Sequence, residues 1–347
     1  MKITRITALA LALLMSALTL LSCGKKEPMQ KTYYEYFDTV STVYSYANDS
    51  EESFAQNCEL VQKSLEKYHR LFDIYYEYPE MNNLRTVNKN AGIAPVKVDR
   101  ELIDFILYAK EMYTLTGGEM NIAMGSVLSL WHACRESALS EPSGASIPTD
   151  AQLEEAEKHI SIDCIVVDTE ASTLYISDSN VRIDVGALGK GYATEKTAKH
   201  LENKGVTSYV LDIGGNLRTI GAKPNGDGWV TGITDPNNKD GDFALKIDIK
   251  NISCVTSGNY ERYFTVNGKR YHHIIDKDTL YPAEYFASVT VLCPDSGLAD
   301  ALSTALFCMS YEDGLALAQM ADADVIWIYQ SGEVRMTDGA RKLVVND

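Results

Sequence analysis

The sequence predicts an α+β fold with a mainly antiparallel β-sheet core and flanking helices. Its short β-prone runs follow one another in pairs joined by tight turns, and Asn267-Gly268 is the clearest of these turns because Asn-Gly suits a two-residue hairpin. Amphipathic helical patterns lie apart from one another, interleaved with these hairpins. We find no internal repeat and no coiled-coil heptad pattern. The 347 residues are enough for one large domain or two.

The first 33 residues are predicted to export and anchor the chain. A basic start precedes an uncharged apolar run over residues 6–21, which leads into Leu-Leu-Ser-Cys ending at Cys23. We therefore expect a lipoprotein signal peptide over residues 1–22, lipidation of Cys23 after cleavage, and a polar tether over residues 23–33. The alternative is a transmembrane anchor, for which the apolar run is short compared with the about 20 residues that a span needs.

Residues 34–347 are predicted to form the folded domain. Apolar residues with helical spacing distinguish its helices, and β-branched and aromatic runs distinguish its strands. The first half is predicted to contain a strand over 37–46, helices over 51–72 and 102–115, a surface loop over 137–150, a short helix over 151–159 and a hairpin within 165–183. The second half is predicted to contain a helix over 192–203, strands over 208–213, 229–233, 243–249, 254–257, 263–266 and 289–292, helices over 298–309 and 311–321, and a hairpin of 325–329 with 334–337.

The composition limits the possible ligands. A formal net charge of −16 argues against nucleic-acid binding, which requires a basic surface. A site for a phosphate-bearing ligand must therefore concentrate positive charge locally, through a metal ion, Lys190 or a helix end. Besides Cys23 the chain has six cysteines and no Cys-x-x-Cys pair. Disulfides are one alternative in an exported protein, but the apolar neighbours of several of these cysteines favour buried free thiols.

The stretch from Ile183 to Ala193, IDVGALGKGYA, holds the strongest candidate chemistry. A β-prone run leads into three glycines and Lys190, and a helical pattern follows. Glycines let a ligand approach the backbone, and a helix start offers N–H groups at the positive end of the dipole, which suits phosphate. The spacing matches neither the Walker loop nor the dinucleotide-binding fingerprint. A plain tight turn before a surface helix is the alternative.

Asp300 and Thr304 form a second candidate. They lie four residues apart, so they project from the same face of the predicted helix. A carboxylate and a hydroxyl present hard oxygen atoms, which suit Mg²⁺. The spacing alone favours the simpler alternative, in which Asp300 caps the helix and Thr304 is a surface residue.

Four blocks of the sequence resemble, in the same order, the ApbE family of FAD:protein FMN transferases. The first is Ile183 to Gly221, which contains the glycine-rich stretch, and the others are Asp227 to Pro236, Thr256 to Glu284 and Ser288 to Phe307. The resemblance extends from about Tyr34 to the C-terminus. It implies a T-fold-like architecture, FAD as the substrate and Mg²⁺ as the metal ion.

The resemblance also implies roles for individual residues. Mg²⁺ is bound in the family by an Asp, a Thr and a backbone carbonyl, which correspond to Asp300, Thr304 and Ala187. Tyr75 best matches the tyrosine that packs on the isoalloxazine. Relatives usually have Asp and Thr at the positions of Asn121 and Ala123. The positions that match the family's flavin-nucleotide contacts are Tyr75, Glu119, Met120, Asn121, Asp184, Lys190, His273 and Ile275.

His273 is the predicted catalytic residue, because it matches the active-site histidine of the family's His-Ile-x-Asp motif. A neutral imidazole can take the proton from an acceptor hydroxyl. The alternative is that His273 binds the adenine or holds a loop. Asp276, the last residue of the motif, either orients His273 or caps a turn.

The resemblance implies a Mg²⁺-dependent enzyme that transfers the FMN moiety of FAD to a Thr or Ser hydroxyl of an acceptor flavoprotein and releases AMP. The family's acceptors are subunits of membrane redox complexes and other exported flavoproteins. We expect this chain on the outer side of a bacterial membrane, held through its lipid anchor. The alternatives are an FAD pyrophosphatase that yields FMN and AMP, and a non-catalytic FAD-binding lipoprotein, which the substitutions at Asn121 and Ala123 keep open.

Overall fold

A computed structural model describes residues 28–47, 49–237 and 242–345. Helices and antiparallel strands both contribute to the described part, as the α+β prediction requires. The α-helices there are α1 (Glu51–Phe72), α2 (Leu84–Lys89), α3 (Arg100–Leu115), α4 (Gly125–Ser140), α5 (Asp150–Glu157), α6 (Gly189–Asn203), α7 (Ser296–Phe307), α8 (Tyr311–Met320) and α9 (Asp338–Leu343). None of the described helices is long and apolar enough to span a lipid bilayer.

The strands fall into one large sheet and three small ones. In chain order they are β1 (Met29–Tyr33), β2 (Ser41–Ser45), β3 (Val96–Lys97), β4 (Ile165–Asp168), β5 (Thr173–Ile176), β6 (Tyr209–Ile213), β7 (Asn216–Ile220), β8 (Trp229–Thr234), β9 (Phe243–Ile249), β10 (Ser253–Gly258), β11 (Tyr263–Val266), β12 (Lys269–His272), β13 (Ser288–Cys293), β14 (Asp324–Ile328) and β15 (Val334–Met336).

The large sheet has eight strands in the order β1-β2-β6-β7-β10-β13-β14-β15. Every neighbouring pair is antiparallel, which confirms the predicted type of core. The central pairing of β10 with β13 runs without a break from Ser253 opposite Cys293 to Gly258 opposite Ser288. The register therefore fixes which residues of the central strands face the helices.

Helices α1, α6, α7 and α8 cover one face of the sheet, and the β8–β9 ribbon with α9 covers the other. On the helical face, strand residues such as Val291 and Trp327 pack against the apolar side of α7, including Leu302 and Leu306. On the opposite face, strand residues such as Leu292 and Ile326 pack under Trp229 of β8. The sheet is thus buried on both sides, and the helical side carries the glycine-rich stretch and Asp300.

Two further apolar clusters support the segments around the site. The first packs α2, α3 and the β3–β5–β4 sheet against the run from Val181 to Ala193. The second packs α4 and α5 against the β11–β12 hairpin, where Trp131 lies within a stack of aromatic rings and donates to the Leu280 carbonyl at 2.9 Å. Trp131 is therefore a core residue.

Four predicted boundaries were wrong, one of them the start of α6, which lies at Gly189 and not at residue 192. Residues 29–33, assigned to the tether, form the edge strand β1 and pair with β2. The strand predicted over 37–46 begins only at Ser41, because Phe37 and Asp38 have φ angles of 56° and 51° in the left-handed region. The loop predicted from residue 137 begins later, since α4 continues to Ser140. The signal peptide over 1–22 and Cys23 lie outside the described residues.

The six cysteines beyond Cys23 are free thiols, as their apolar neighbours predicted. Four of them are buried, and Cys134 and Cys164 are partly exposed. Burial raises the pKa of the Cys254 and Cys293 thiols to about 12, so both stay protonated at neutral pH.

Candidate active site

The site is built around the place where α6 crosses α7. Gly191 in the first turn of α6 donates its backbone N–H to Oδ2 of Asp300 on α7 at 2.7 Å. A side chain at position 191 would collide with Asp300 and with the backbone carbonyl of Ser296, so the close approach of the helices requires glycine. This contact joins the glycine-rich stretch to Asp300 across 109 residues of sequence.

The Asp300 carboxylate is buried, and only one of its two oxygen atoms accepts the hydrogen bond from Gly191. Its Oδ1 lies 4.0 Å from Nζ of Lys190, while its Oδ2 is used by Gly191. Burial raises the pKa of Asp300, and the Lys190 charge and the Gly191 N–H counteract that effect only in part. Asp300 is not a helix cap, since the side chain of Asp295 caps α7 by accepting from Leu298 N at 2.9 Å.

Hydroxyl groups extend the polar surface along α7. Thr304 lies one turn beyond Asp300 and its Oγ1 is 3.4 Å from the Ser257 hydroxyl of β10. Ser257 also contacts the Ser303 hydroxyl at 2.9 Å. Ala187, in the turn before α6, is partly exposed. The crossing therefore presents oxygen atoms from a carboxylate and hydroxyls next to a turn with accessible backbone.

The start of α6 is less open to anions than its sequence suggests. The N–H of Gly189 is bonded to the Val185 carbonyl at 2.8 Å, and that of Gly191 is bonded to Asp300. No side chain caps this helix start. Because Asp300 already occupies the Gly191 donor, it is the Lys190 side chain, rather than the row of free N–H groups we expected, that offers positive charge here.

The two adjacent histidines have different environments. His272 is buried, with Nε2 2.9 Å from the Ala283 carbonyl and Nδ1 accepting from the Ile274 N–H at 3.3 Å, so its ring is neutral and its nitrogens are occupied. The His273 side chain is exposed. Even so, the protein atoms around it desolvate the ring, and together with the charges of Arg262 and Lys190 they lower the pKa of His273 to about 3. His273 is therefore an accessible, neutral imidazole.

Asp276 caps a turn and does not hold His273. Its Oδ1 accepts from the backbone N–H groups of Asp278 and Thr279 at 2.8 and 2.9 Å. Ile275 is buried, with 7% of its surface exposed, so only a small part of it is available to a ligand. These contacts decide between the two roles that the sequence left open for Asp276.

Tyr75 lies on a loop whose backbone is firmly held. Asp73 accepts from the N–H groups of Tyr75 and Tyr76 at 2.7 and 2.9 Å, and Asn83 donates to the Tyr76 carbonyl at 2.8 Å. The Tyr75 side chain is nevertheless 54% exposed. A fixed backbone with a free ring is suited to receiving a flat ligand.

The ring of Tyr75 faces a polar rim. Its centroid lies 5.7 Å from that of His132, whose Nδ1 accepts from Arg135 at 3.1 Å. Burial raises the pKa of Tyr75, with a further contribution from the nearby charge of Asp184. Asp184 itself accepts from Gly186 N at 2.9 Å, and burial raises the pKa of its carboxyl.

The side chains from Glu119 to Asn121 mainly contact other parts of the protein. The Met120 side chain is 1% exposed, so its contribution to a ligand is limited to the backbone. Asn121 donates to the Ile160 carbonyl at 2.9 Å and accepts from Ala123 N at 2.8 Å. Glu119 pairs with Lys277 at 3.3 Å, and its partial burial raises its pKa. The side-chain amide of Asn121 thus holds the backbone of its own segment in place through these two hydrogen bonds.

Arg262 and Arg135 are functional candidates that the sequence analysis missed. The charge of Arg262 acts on both His273 and Tyr75, which lie 198 positions apart in the chain. With Lys190, these arginines concentrate positive charge around Tyr75 and His273, whose surroundings we call the cleft, in an otherwise acidic protein. The only signal available was the place of Arg262 within the block that contains His273. A separate depression between α4 and α5 contains none of these residues.

The α+β fold brings together a neutral histidine, basic side chains and buried carboxylate and hydroxyl oxygens, a set that suits an enzyme acting on a phosphate-bearing small molecule. The chain belongs to the ApbE family, whose model matches residues 37–327.

Characterised relatives cover most of the chain. It is 33% identical over 272 residues to an FAD:protein FMN transferase of Treponema pallidum, covering 74% of this chain and 73% of that protein. It is 26% identical over 332 residues to the Escherichia coli K12 protein of the same name, covering 93% and 92%. The crystal structure of the ApbE protein of Thermotoga maritima superimposes with a TM-score of 0.80 at 26% identity, covering 92% of this chain and 100% of that chain.

Proposed function

We propose that this protein transfers the FMN moiety of FAD to a Thr or Ser hydroxyl of an acceptor flavoprotein and releases AMP. The observation that carries the proposal is the α6–α7 crossing, where the buried Asp300 carboxylate lies beside Lys190, together with the accessible and neutral His273. The names of the Treponema and Escherichia relatives support this reaction.

The residues at the crossing fit Mg²⁺. The donors are oxygen atoms, and the described residues hold no group of three or more His, Cys, Asp or Glu side chains that would favour another metal. Magnesium is commonly held by one or two carboxylates, with substrate phosphates and water completing its shell. Asp300, Thr304 and the Ala187 carbonyl would hold it. When bound, Mg²⁺ would offset the negative charge of the diphosphate.

His273 is the base in the proposed reaction. Its neutral ring takes the proton from the acceptor hydroxyl, whose oxygen forms a bond to the FMN phosphorus. The bond from that phosphorus to the AMP oxygen breaks, and AMP leaves with the bridging oxygen. Lys190 and Arg262 supply positive charge near the reacting phosphates, which favours the transition state because its charge is spread over the phosphoryl oxygens.

Tyr75 and the rim around it bind the flavin in this proposal. The exposed Tyr75 ring provides an aromatic face, and Asp184, whose charge acts on Tyr75, and the backbone of residues 119–121 would contact the same ligand. Ile275 adds a small apolar contact to the nucleotide. Because the Asn121 side chain is satisfied within the protein, the Asn in place of the usual Asp is compatible with a flavin site formed by backbone groups.

We further propose that the enzyme acts outside the cytoplasm, attached to a membrane through a lipid on Cys23. The lipobox pattern in the sequence supports this anchor. The acceptors would then be subunits of membrane redox complexes or other exported flavoproteins.

The proposal is tested by incubating the purified protein with FAD, Mg²⁺ and an acceptor protein, followed by intact-mass and peptide mass spectrometry of the acceptor. We expect an FMN-sized mass increase on one Thr or Ser, one AMP per modified acceptor, and no modification when EDTA replaces Mg²⁺. An acceptor in which that Thr is replaced by Val is the control. Release of AMP with free FMN and no modified acceptor would contradict the proposal.

A further inference from the structure

We propose that Glu195 is a positioning residue that sets the register of α7 against the glycine-rich turn and thereby the geometry of the cation site. The inference deepens the proposed function and rests on it. Glu195 does not border the cleft: it is 6% exposed and lies one helical turn beyond Gly191 on α6. Its effect on the site must therefore pass through the helices that it joins.

Glu195 and Gly191 form two matched links between α6 and α7. Oε2 of Glu195 accepts the backbone N–H of Ser296 at 2.9 Å, and Gly191 donates to Asp300 at 2.7 Å. Residues 191 and 195 are four apart on α6, and residues 296 and 300 are four apart on α7. Residues four apart share a helix face, so the two helices are joined at two points one turn apart.

Arg218 fixes Glu195 to the sheet. Its guanidinium on β7 is 1% exposed, and Nε lies 3.0 Å from the same Oε2 that accepts from Ser296. Its Nη2 lies 3.0 Å from Glu202 on α6, and Nη1 donates to the Thr219 carbonyl. The position of Ser296 is therefore set through Glu195 and Arg218 by a central strand.

The link to Ser296 is not needed to begin α7, because the Asp295 side chain already caps that helix. Apolar packing is non-directional, so a small axial sliding of α7 costs it less than it costs a hydrogen bond. Directional hydrogen bonds do not tolerate such sliding, because a shift of one residue moves a group by about 1.5 Å along the axis. We infer that the Glu195 hydrogen bond fixes α7 along its axis, so that Asp300 and Thr304 lie beside the turn that contains Ala187.

Glu202 provides a matched control. It also pairs with Arg218 from α6, but no hydrogen bond joins it to α7 in the described part of the chain. We compare Glu195→Ala with Glu202→Ala by calorimetric titration of MgCl₂ into the FAD complex, and by the rise in unfolding temperature that Mg²⁺ causes with FAD present. We expect Glu195→Ala to weaken Mg²⁺ binding at least tenfold and Glu202→Ala less than threefold.

Two more variants separate positioning from folding. Glu195→Gln retains an acceptor for Ser296 N–H and should recover most of the Mg²⁺ affinity. Glu195→Ala combined with Arg218→Met also removes the buried guanidinium that would otherwise keep Glu202 as its remaining carboxylate partner, so it should fold while still binding Mg²⁺ weakly. Each variant is checked for its unfolding temperature without Mg²⁺.

Equal loss of Mg²⁺ affinity in Glu195→Ala and Glu202→Ala would overturn the inference, and so would a lower unfolding temperature with unchanged Mg²⁺ affinity. Absence of Mg²⁺ binding to the unmodified FAD complex would overturn it as well. If the unmodified protein binds Mg²⁺ with FAD but modifies no acceptor, the transfer reaction fails while the comparison of the variants still decides the role of Glu195.

Discussion

In the proposed function the α6–α7 crossing and the rim around Tyr75 serve the same cleft, but they are built in opposite ways. At the crossing, Gly191, Glu195 and Asp300 are buried and bonded to one another's helices. At the rim, the Tyr75 side chain is 54% exposed, and only the backbone of its loop is fixed, through Asp73. At the crossing the side chains themselves are bonded, whereas at the rim the Tyr75 ring is exposed on a loop whose backbone is held by hydrogen bonds.

This difference indicates how each region contributes to function. In the proposed function the crossing holds oxygen atoms at fixed separations, so a small displacement there would change both the fold and the chemistry. The rim would accept a large flat ligand, and the exposed Tyr75 ring can adjust to it. Substitutions at the crossing are therefore expected to have large effects, and those at the rim smaller effects confined mostly to affinity.

The largest effect is expected for Asp300→Ala. Loss of the carboxylate beside Lys190 removes the charge that would hold Mg²⁺, and the transfer rate should fall by about 10³-fold or more, equivalent to about 4 kcal/mol. The measurement is the initial rate of AMP release and acceptor modification. Asp300→Asn, which can still accept from Gly191, should fold normally and also be impaired. Transfer at the normal rate by Asp300→Asn would contradict a charge-based role.

His273→Ala tests the reacting group on the exposed side of the cleft. Loss of a general base should lower kcat by about 10²-fold or more. FAD affinity should change little if His273 acts mainly on the acceptor hydroxyl, and this is measured by fluorescence titration of FAD. A large loss of FAD affinity with an unchanged kcat would instead assign His273 to nucleotide binding.

Gly191→Ala tests how closely the helices must approach. The added methyl group collides with Asp300 and the Ser296 carbonyl, so we expect a destabilisation of about 1–3 kcal/mol, measured by urea unfolding. Gly314→Ala is the matched control, because Gly314 is also helical and its added methyl would meet the flexible Leu306 side chain at 3.3 Å and the Trp327 ring at an ordinary contact distance of 3.8 Å. Equal stability of the two variants would show that the crossing can accommodate a methyl group at position 191 and that the helices need not approach so closely.

Tyr75→Ala probes the rim. Loss of one aromatic contact should raise the Kd for FAD about 3- to 10-fold, as expected for about 0.5–1.5 kcal/mol, with stability nearly unchanged. The neighbouring Tyr76 is 71% exposed and serves as the control. If Tyr76→Ala weakens FAD binding as much as Tyr75→Ala, the flavin lies elsewhere on this loop.

The smallest effect is expected for moderate acid. A histidine with a pKa of 6.5 would be about 90% protonated at pH 5.5, costing about tenfold in activity. Since the pKa of His273 is lowered to about 3, kcat/KM at saturating Mg²⁺ should show no acid limb from this group between pH 7.5 and 5.5. The unfolded chain takes up this proton near pH 6.5, so His273 lowers stability as the pH falls from 6.5 towards 3. An acid limb near pH 6.5 that disappears in His273→Ala would contradict this.

Helices with apolar residues on one face and a capping residue at the start were predicted well from the sequence. The bounds of α1 match the prediction, because its apolar residues lie on one face and Ser50 caps its start at 3.1 Å. Helix α4 was missed, since apolar residues contact the core on several of its sides and no side chain caps it at Met124. Left-handed backbone at Phe37 and Asp38 had no signal in a run of β-formers.

Residues that act through distant partners could not be found from sequence alone. The donor of Gly191 is used by a carboxylate 109 positions away, so the predicted anion-binding helix start is altered by a tertiary contact. Arg218 and Glu195 lie in different elements and give no local pattern. The family resemblance placed Asp300, Lys190 and His273 within matched blocks, whereas the contacts that orient them depend on the register of the folded chain.

The edge strand β1 begins only six residues after Cys23. If the chain is anchored there, as we propose, the intervening backbone is at most about 20 Å long even when fully extended. The short tether would then confine the enzyme to a thin layer next to the bilayer. Acceptors confined to the same layer would meet it at a raised effective concentration, whereas a hydroxyl held far above the membrane would stay beyond its reach.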